Sequence, residues 1–469
     1  MAQNLQQSAG DVRIESIYLN TGIKESIDLQ NFFLEITLHE SIHTPCIFGH
    51  VVVSDAVNLL TNSPILGRDT ITFKIRTPAL NDTPENVIHK TFAIYAVTDR
   101  FLNSDREQFY TIQFMSMEGI KDNITRLSEK FNGSTEEIAL QLFSEYIVEP
   151  RVMTPDFKDS GDPSITILDT PHFSNNLEFV SNYWSPFKCM NYVAKNTVGN
   201  EYKLPNTLFF ESNKGHYFTS ITALTQEQKD TKTLYDEYVY VSNLDEITID
   251  SQDKRSSNFK YTSPFISNKM TTVSKMEYPR HFDQIENQSS GYYGSVTHGY
   301  DWTKKDIYNI KFDYTPEQPA RREQDKSVLD INYDSFKHIG NINPIPKGMF
   351  ADPLSKRQYK AGASGLFGNK NAFDISQVSS VCYRESSLAE LDVLKYEITV
   401  PGKTDIEVGR LIKFNYPSVG DKGQSNPEYE NLFDDKVSGV YIVTGIRHDI
   451  DKLGHNMILE IARDGAGEF

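Results

Sequence analysis

Apolar and polar residues alternate in short runs along much of this 469-residue chain. In the run FLEITL, residues Leu34, Ile36 and Leu38 fall on one face, and this period of two predicts a β-strand. The β-branched run IFGHVVVSD ends at Asp55 and predicts a second strand after a turn at residues 41–45. Phe and Tyr, which favour strands, number 28 and 25. We therefore predict a mainly β chain with α+β insertions.

One pattern occurs twice, at residues 67–118 and at residues 409–464. Each copy reads as a strand after a Gly-Arg pair, a polar loop, a second strand, a turn and a third strand. The sequence aligns Gly67 with Gly409. It aligns the set Tyr95, Val97 and Thr98 with the set Tyr441, Val443 and Thr444. It also aligns the set Tyr110, Ile112 and Phe114 with the set Met457, Leu459 and Ile461. One extra residue, such as a bulge near Gly445, accounts for the shift between these sets. Chance resemblance of two amphipathic β segments is the alternative, but the pattern favours two similar small antiparallel β-barrels.

Helical signals lie between the two copies. Ser134 begins a predicted helix with a capping box to Glu137, and Ser185-Pro186 begins another. The apolar stripe of the first helix is Ala139, Leu142, Phe143 and Tyr146. Further along, the pattern predicts a hairpin with its turn at 213–215, an exposed excursion at 341–371, and a short helix at 387–394. The predicted domains are an N-terminal tail (1–15), a first barrel (16–120), an α+β domain (121–235), a second barrel in two pieces (236–285 and 386–469) and an inserted β/loop domain (286–385).

The run LHESIHTPCIFGH contains a His-Glu-x-x-His sequence at His39, Glu40 and His43. On a helix, this spacing places two imidazoles on one face to hold zinc, with the glutamate as general base. The flanking patterns instead predict strands, and Pro45 disfavours helical geometry at Thr44. Residues four apart on a strand are separated by roughly 13 Å, which is too far to share one metal ion. We interpret the run as a turn between strands and predict no metal site.

The remaining sequence contains no catalytic constellation. The run PGKT at 401–404 lacks both the earlier glycine and the helix that a phosphate-binding loop requires. Cys46, Cys189 and Cys382 are few and far apart, which predicts free thiols in a reducing compartment. A formal net charge of −17 disfavours a grip on nucleic-acid phosphates. Because neither a secretion signal nor a membrane-spanning run is present, we expect a soluble protein made in the cytosol. Because no catalytic constellation is found, we also expect no enzymatic activity and no cofactor.

Four segments, taken in order, resemble the baseplate hub proteins of contractile-tailed bacteriophages, the family of the T-even hub. They are EITLHESIHTPCIFGHVVVSDA (35–56), LFFESNKGHYFTSITAL (208–224), GYYGSVTHGYDWTKKDIYNIKFDY (291–314) and RESSLAELDVLKYEITVPGKTDIEVGRLIKF (384–414). The motif residues are Glu40, Ser41, Ile42, Gly49, Gly402, Asp405 and Gly409, and we interpret their roles as structural. Gly402 suits a positive-φ turn, and the Asp405 carboxylate can accept hydrogen bonds from nearby amides.

This resemblance implies a homotrimer in which each chain supplies two tube-type β-barrels to a pseudo-sixfold ring. Such a ring would adapt the sixfold tail tube to a threefold central spike and leave a channel for DNA. The implied partners are a spike protein that can carry a lysozyme, tail-tube or tube-initiator proteins, and baseplate wedge proteins, with DNA only as passing cargo. The implied location is the virion baseplate, assembled in the host cytoplasm. Three chains would carry three times −17, or −51, formal charges, which would repel DNA phosphates if they line the channel.

Two alternatives remain open from the sequence. The hub part of a secretion-system or injection-particle spike shares the implied fold. A metallopeptidase acting through His39, Glu40 and His43 belongs to a different functional class. The chain is longer than the T-even pattern in the region 315–385, so no spike-contact residues are carried over from the resemblance.

Overall fold

The computed structural model shows a mainly β protein with α+β insertions, which confirms the predicted fold class. The structure describes the following residues: 9–21, 26–78, 80, 86–104, 107–148, 164–167, 176–198, 205–230, 236–240, 270–281, 285, 289–291, 294–313, 357–362, 375–391, 394–417, 433–434 and 437–463.

The first β unit contains seven strands, and all of its pairings are antiparallel. They are β1 (Arg13–Asn20), β2 (Ile27–Asp28), β3 (Phe33–Ser41), β4 (Phe48–Asp55), β5 (Thr70–Arg76), β6 (Val87–Ser104) and β7 (Glu107–Ser116), with a short helix α1 (Leu59–Asn62) after β4. Their spatial order is β3-β4-β7-β6-β5-β1-β2. Alternate residues of β7 are buried, as period-two patterning requires. Phe73, Phe92 and Phe114 meet in the core with ring centroids 5.0–5.9 Å apart.

Among the described residues, the second β unit also contains seven strands. They are β13 (Asp236–Tyr240), β14 (Thr272–Val273), β15 (Lys275–His281), β19 (Leu394–Pro401), β20 (Leu411–Asn415), β21 (Gly439–Asp451) and β22 (His455–Arg463). Their order is β15-β19-β22-β21-β20-β13-β14, which matches that of the first unit strand for strand. β13 departs from the predicted antiparallel arrangement, because it runs parallel to both β20 and β14.

The pairing registers make the repeat specific. Tyr110 faces Val53 and Met457 faces Val400, so both partners are displaced by the same 347 residues. The predicted bulge is present in β21, between Val443 and Gly445. β6 carries a bulge at the corresponding place, between residues 94 and 96, so this bulge is common to both copies and is not the extra residue that the predicted alignment required. The ladders therefore align Phe92 with Tyr441 and Ile94 with Val443, and the predicted alignment of Tyr95 with Tyr441 is wrong by three positions.

An α+β domain lies between the two units in sequence. Its elements are α2 (Met117–Ile124), β8 (Lys130–Ser134), α3 (Thr135–Leu142, continued by a π turn at Phe143–Ile147), β9 (Ile165–Thr166), β10 (Asn176–Val180), α4 (Pro186–Asn196), β11 (Thr207–Ser212), β12 (Gly215–Ser220) and α5 (Ile221–Asp230). The predicted capping box is confirmed, since Glu137 N donates to Ser134 Oγ at 3.2 Å and Ser134 N donates to Glu137 Oε2 at 3.0 Å. The helix at Ser185-Pro186 is also confirmed. β11 and β12 form the predicted hairpin.

A further three-stranded sheet contains β16 (Gly294–Asp301), β17 (Ile307–Asp313) and β18 (Arg357–Gly362). β18 pairs parallel with β16, so part of the predicted exposed excursion is a strand. Residues 341–356 and 363–371 of that excursion lie outside the described residues. α6 (Ile375–Glu390) replaces the shorter helix predicted at 387–394, and its Val378 packs against Gly299 of β16.

The three cysteines form no disulfide, as predicted. Among the described helices, none is both long enough and apolar enough to cross a membrane.

Candidate functional site

The two β units join along one pair of strands, β3 and β21, which we call the junction. The strands pair antiparallel from Ser41–Gly445 to Glu35–Asp451 and merge both units into one continuous sheet. Side chains cross the junction in both directions. Ile42 is buried in the core cluster of the second unit, and Ile450 is buried in that of the first. The junction is therefore built as tightly as a domain interior rather than as a loose contact between domains.

The His-Glu-x-x-His residues lie in this junction, but they do not form a metal site. His39 and Glu40 are neighbours on β3 and point to opposite faces of the sheet. His39 stacks on Phe48 with ring centroids 5.0 Å apart, and burial together with Arg447 lowers its pKa. His43 is exposed in a turn after β3, where Thr44 N donates to Ser41 O at 3.1 Å. The predicted interpretation of this run as the end of a strand and a turn is confirmed.

Glu40 holds the junction to the rest of the chain. Its side chain is buried, and its Oε2 accepts a hydrogen bond from the backbone N–H of Asn213 at 3.1 Å. Its Oε1 lies 3.6 Å from His448 Nε2, and His448 Nδ1 lies 3.0 Å from His455 Nε2. Burial, and then the neighbouring His448, hold the pKa of His455 well below its usual value. A neutral His455 can serve as either donor or acceptor in its hydrogen bond with His448.

The tip of the β11–β12 hairpin, residues 211–216, sits against both units. On the first unit's side, Lys90 Nζ of β6 lies 2.7 Å from Glu211 Oε1 and donates to Ser212 O at 2.9 Å. Glu211 Oε2 accepts hydrogen bonds from Ile47 N at 2.8 Å and from Ser116 Oγ at 2.5 Å. Burial by itself would raise the pKa of Glu211, but Lys90 and His216 outweigh it and the pKa is lowered. Glu211 is therefore a buried carboxylate with several partners, a type of group that fixes position.

The second unit holds the same hairpin through Glu407. Its Oε2 accepts hydrogen bonds from Ser212 Oγ at 2.8 Å and from the Tyr217 hydroxyl at 3.2 Å. Its Oε1 forms an ion pair with Lys214 at 3.0 Å. Carboxylates from both units thus converge on one hairpin turn, and this fixes the position of the α+β domain relative to the junction.

One group of buried residues has the composition of a metal site. A ligand atom from each of Glu118, Glu211 and His216 falls within 4.8 Å of the others. The ammonium group of Lys90 already contacts Glu211 and supplies the positive charge that a cation would bring. We therefore interpret the cluster as a structural ion-pair network. Among the described residues this is the cluster with metal-ligand composition, and it contains neither His39 nor His43.

The predicted motif residues divide by role. Gly409 has a φ of +85° and is a turn glycine, as expected for this motif. Gly402 is not in the left-handed region. It is needed because a Cβ there would lie 2.1 Å from the ring of His455, so the positive-φ prediction is wrong. The predicted amide contacts of Asp405 are not borne out at Oδ1, which is buried without a hydrogen-bond partner. At Gly49, a Cβ would lie 2.0 Å from Thr37 O and 2.9 Å from Phe114.

Thr404, which directly precedes Asp405, links the two units. Thr404 N donates to Thr77 Oγ1, and Thr77 N donates to Thr404 Oγ1, both at 3.1 Å. Thr404 Oγ1 also donates to Asn86 O at 2.6 Å. The turn that begins the last strands of the second unit is therefore hydrogen-bonded directly to the first.

Sequence reasoning did not find Lys90, Glu211, Glu407, His448 or His455. A charged residue in an amphipathic strand is usually assigned to the solvent-facing side. The sequence offers one signal, that Glu211 directly follows the apolar residues LFF, whereas Lys90 lies between the polar residues His89 and Thr91.

No protein-family model matches the sequence, and no curated protein matches it. Among solved structures, the chain is similar to a tail protein from Neisseria meningitidis MC58, with a TM-score of 0.51 at 8% identity over 96% of each chain. A 43 kDa tail protein of prophage MuSo2 from Shewanella oneidensis matches with a TM-score of 0.48 at 9% identity, over 96% of this chain and 98% of that one. A chain of a Francisella PdpA-VgrG complex matches with a TM-score of 0.43 at 10% identity, over 99% of this chain and 60% of that one. Of these three TM-scores, the first exceeds 0.5 and shows that the two chains share a fold. The resemblance read from the sequence is thus confirmed at the level of the fold: over almost its whole length, this chain is folded like a tail protein.

Proposed function

We propose that this chain is a structural subunit of a baseplate hub in a contractile tail. The single observation that carries the proposal is the internal repeat, in which two β units of identical strand order are joined edge to edge by the junction. The similarity of fold to a tail protein supports the tail assignment.

The repeat suits a symmetry adaptor. Three copies of the chain supply six similar β units and three α+β domains. The six units form a pseudo-sixfold ring that can face a sixfold tail tube, while the three α+β domains on the other side present threefold symmetry to a central spike. The hairpin contacts of Glu40, Glu211 and Glu407 support this role, because they fix the position of the α+β domain relative to both units in every copy.

The proposal includes no enzymatic step. His39 and Glu40 project from opposite faces of one strand, and Lys90 pairs with Glu211 in the candidate metal cluster. We also propose that DNA passes through the ring, that a spike protein and tail-tube proteins bind its two sides, and that the hub is located in the virion baseplate. The same ring would also serve the hub part of a secretion-system spike. The ring itself is proposed for both kinds of machine.

Light scattering after gel filtration tests the oligomer. A trimer of this 53.5 kDa chain has a mass of about 160 kDa, three times the chain mass. Negative-stain class averages of that species should show six peripheral lobes around a central hole. A monomer at every concentration, both alone and with its spike protein, would overturn the proposal.

A further inference from the structure

The junction leaves two matching strand edges open elsewhere in the chain. In the repeat, β6 of the first unit corresponds to β21, and β15 of the second unit corresponds to β3. In the described part of the chain, the C-terminal half of β6 pairs only with β7, and β15 pairs only with β19. β21 and β3, by contrast, each use the equivalent edge to bind one another. Within the chain, the edge of β21 is therefore paired with the edge of β3. The equivalent edges of β6 and β15 have no such pairing in the described part of the chain.

The open edge of β6 carries an exposed apolar residue at the position that corresponds to a buried residue of β21. Leu102 faces Gln108 in the first unit, and Ile450 faces His455 in the second. Gln108 and His455 again differ by 347 positions, so Leu102 corresponds to Ile450. Ile450 is 0% exposed because it lies in the first unit's core, whereas Leu102 is 78% exposed. The neighbouring Phe101 is 57% exposed. An exposed apolar strand edge is a pairing site for another strand.

The edge of β15 supplies the complementary positions. Met276 faces Ile398 and corresponds to Ile36, which faces Val51 in the first unit. Met276 packs against the second unit's core, much as Ile36 lies in the first unit's core. Lys275 and Glu277 flank it, ion-paired to each other and more than half exposed. Charges on an exposed edge strand prevent indiscriminate pairing before the correct partner arrives.

We propose that β6 of one copy pairs antiparallel with β15 of the next copy, in the register of the junction. Leu102 then stands opposite Met276, as Ile450 stands opposite Ile36. This inference rests on the proposed function and deepens it by naming the surface that joins the copies. The two edges are different surfaces, so the contact is head-to-tail, and in the proposed trimer three such contacts close the ring. In such a ring, Leu102 enters the core margin of the neighbouring second unit and every copy is joined by the same type of strand pair.

Paired cysteines test the register. Residues directly opposite on antiparallel strands have Cα atoms about 4.5–5.5 Å apart, within the span of a disulfide. Under oxidation, Leu102→Cys/Met276→Cys should give reducible covalent dimers and trimers containing most of the protein on a denaturing gel. The matched control is Leu102→Cys/Leu453→Cys. Leu453 is 94% exposed in the β21–β22 turn, away from both edges, so this variant should run as the monomer, as should the wild type with its three native cysteines.

The outcomes separate this inference from the proposed function. Trimers by light scattering with no cross-link in the paired variant would overturn the strand pairing and leave the ring standing. Monomers by light scattering at every concentration, both alone and with the spike protein, together with no cross-link, would overturn both. A second variant, Leu102→Asp, should lower the trimer fraction at least tenfold while its circular dichroism spectrum stays that of the wild type, and Leu453→Asp should leave the trimer intact.

Discussion

The buried ion pair between Lys90 and Glu211 gives the sharpest test of how the hairpin is held. Substituting Lys90→Met keeps most of the side-chain volume and removes the charge 2.7 Å from Glu211 Oε1. Both residues are buried, so the remaining carboxylate cannot recover its hydration. Breaking a buried pair by removing one partner costs about 3–5 kcal/mol, because a buried charge is left uncompensated. We expect a loss of that size in the free energy of unfolding at pH 7.5.

The dependence on pH should change sign in this variant. In the wild type, the pKa of Glu211 is lower in the folded state than in the unfolded state. The carboxylate's contribution to the free energy of unfolding is therefore complete above its pKa in the unfolded state, about 4.3, and is lost as the pH falls through its pKa in the folded state. In Lys90→Met, burial remains and the lysine is gone, so the pKa of Glu211 should rise above the unfolded value. The destabilisation is then largest at neutral pH and shrinks as pH falls toward about 4.3.

Urea unfolding followed by far-ultraviolet circular dichroism at pH 7.5 and 5.5 measures both effects. Lys74→Met is the matched control, since Lys74 pairs with Glu15 at 3.2 Å in a partly exposed position and should lose less than about 1 kcal/mol. Lys90→Met/Glu211→Gln removes both charges and should recover at least half of the loss. If Lys90→Met is no worse than Lys74→Met, or if its deficit grows on acidification, the argument for a compensated buried carboxylate fails.

Three further measurements address the junction and the motifs. Ile450→Ala should lower the free energy of unfolding by about 2–5 kcal/mol, whereas Leu102→Ala should change that of the isolated chain by less than about 0.5 kcal/mol; equal losses would contradict the assignment of buried and open edges. Gly402→Ala forces a Cβ to within 2.1 Å of the His455 ring and should cost about 1–3 kcal/mol, while Gly445→Ala, whose Cβ meets nothing closer than 3.5 Å, should cost less, and a reversed order would refute the close-approach explanation. Dialysed protein should contain no stoichiometric zinc by elemental analysis, and one zinc per chain that disappears in His39→Ala/His43→Ala would restore the peptidase hypothesis.

The sequence predicted what is local. Period-two runs located β3, β4, β7 and β22, and the capping box located α3, because strand and helix patterning reflect burial within a few residues. It also gave the correct 347-residue displacement for β7 and β22, where burial alternates without interruption. The alignment of β6 with β21 was wrong because it matched identical residue types, Tyr, Val and Thr, whereas the true register is set by pairing with β7 and β22, which the sequence of one strand does not show.

What is long-range could not be predicted. Nothing in HKTF or FFES indicates that Lys90 and Glu211 meet, because the two lie more than a hundred residues apart and each has a charge that would usually face water. At Gly402, the sequence shows that glycine is present but not whether the backbone angle or a neighbouring ring requires it. Here His455 requires it, and its approach depends on the pairing of β19 with β22.

The junction also determines when a newly made chain can be complete. Thr37 and Asp449, which share a hydrogen bond across it, are 412 residues apart. Synthesis proceeds from the N-terminus, so Thr37 of β3 is made 412 residues before Asp449 of β21. A chain that terminates between them would leave Ile36 without its partner Ile450 and the edge of β3 open. The junction must therefore form late in folding, after strands from both units have been made.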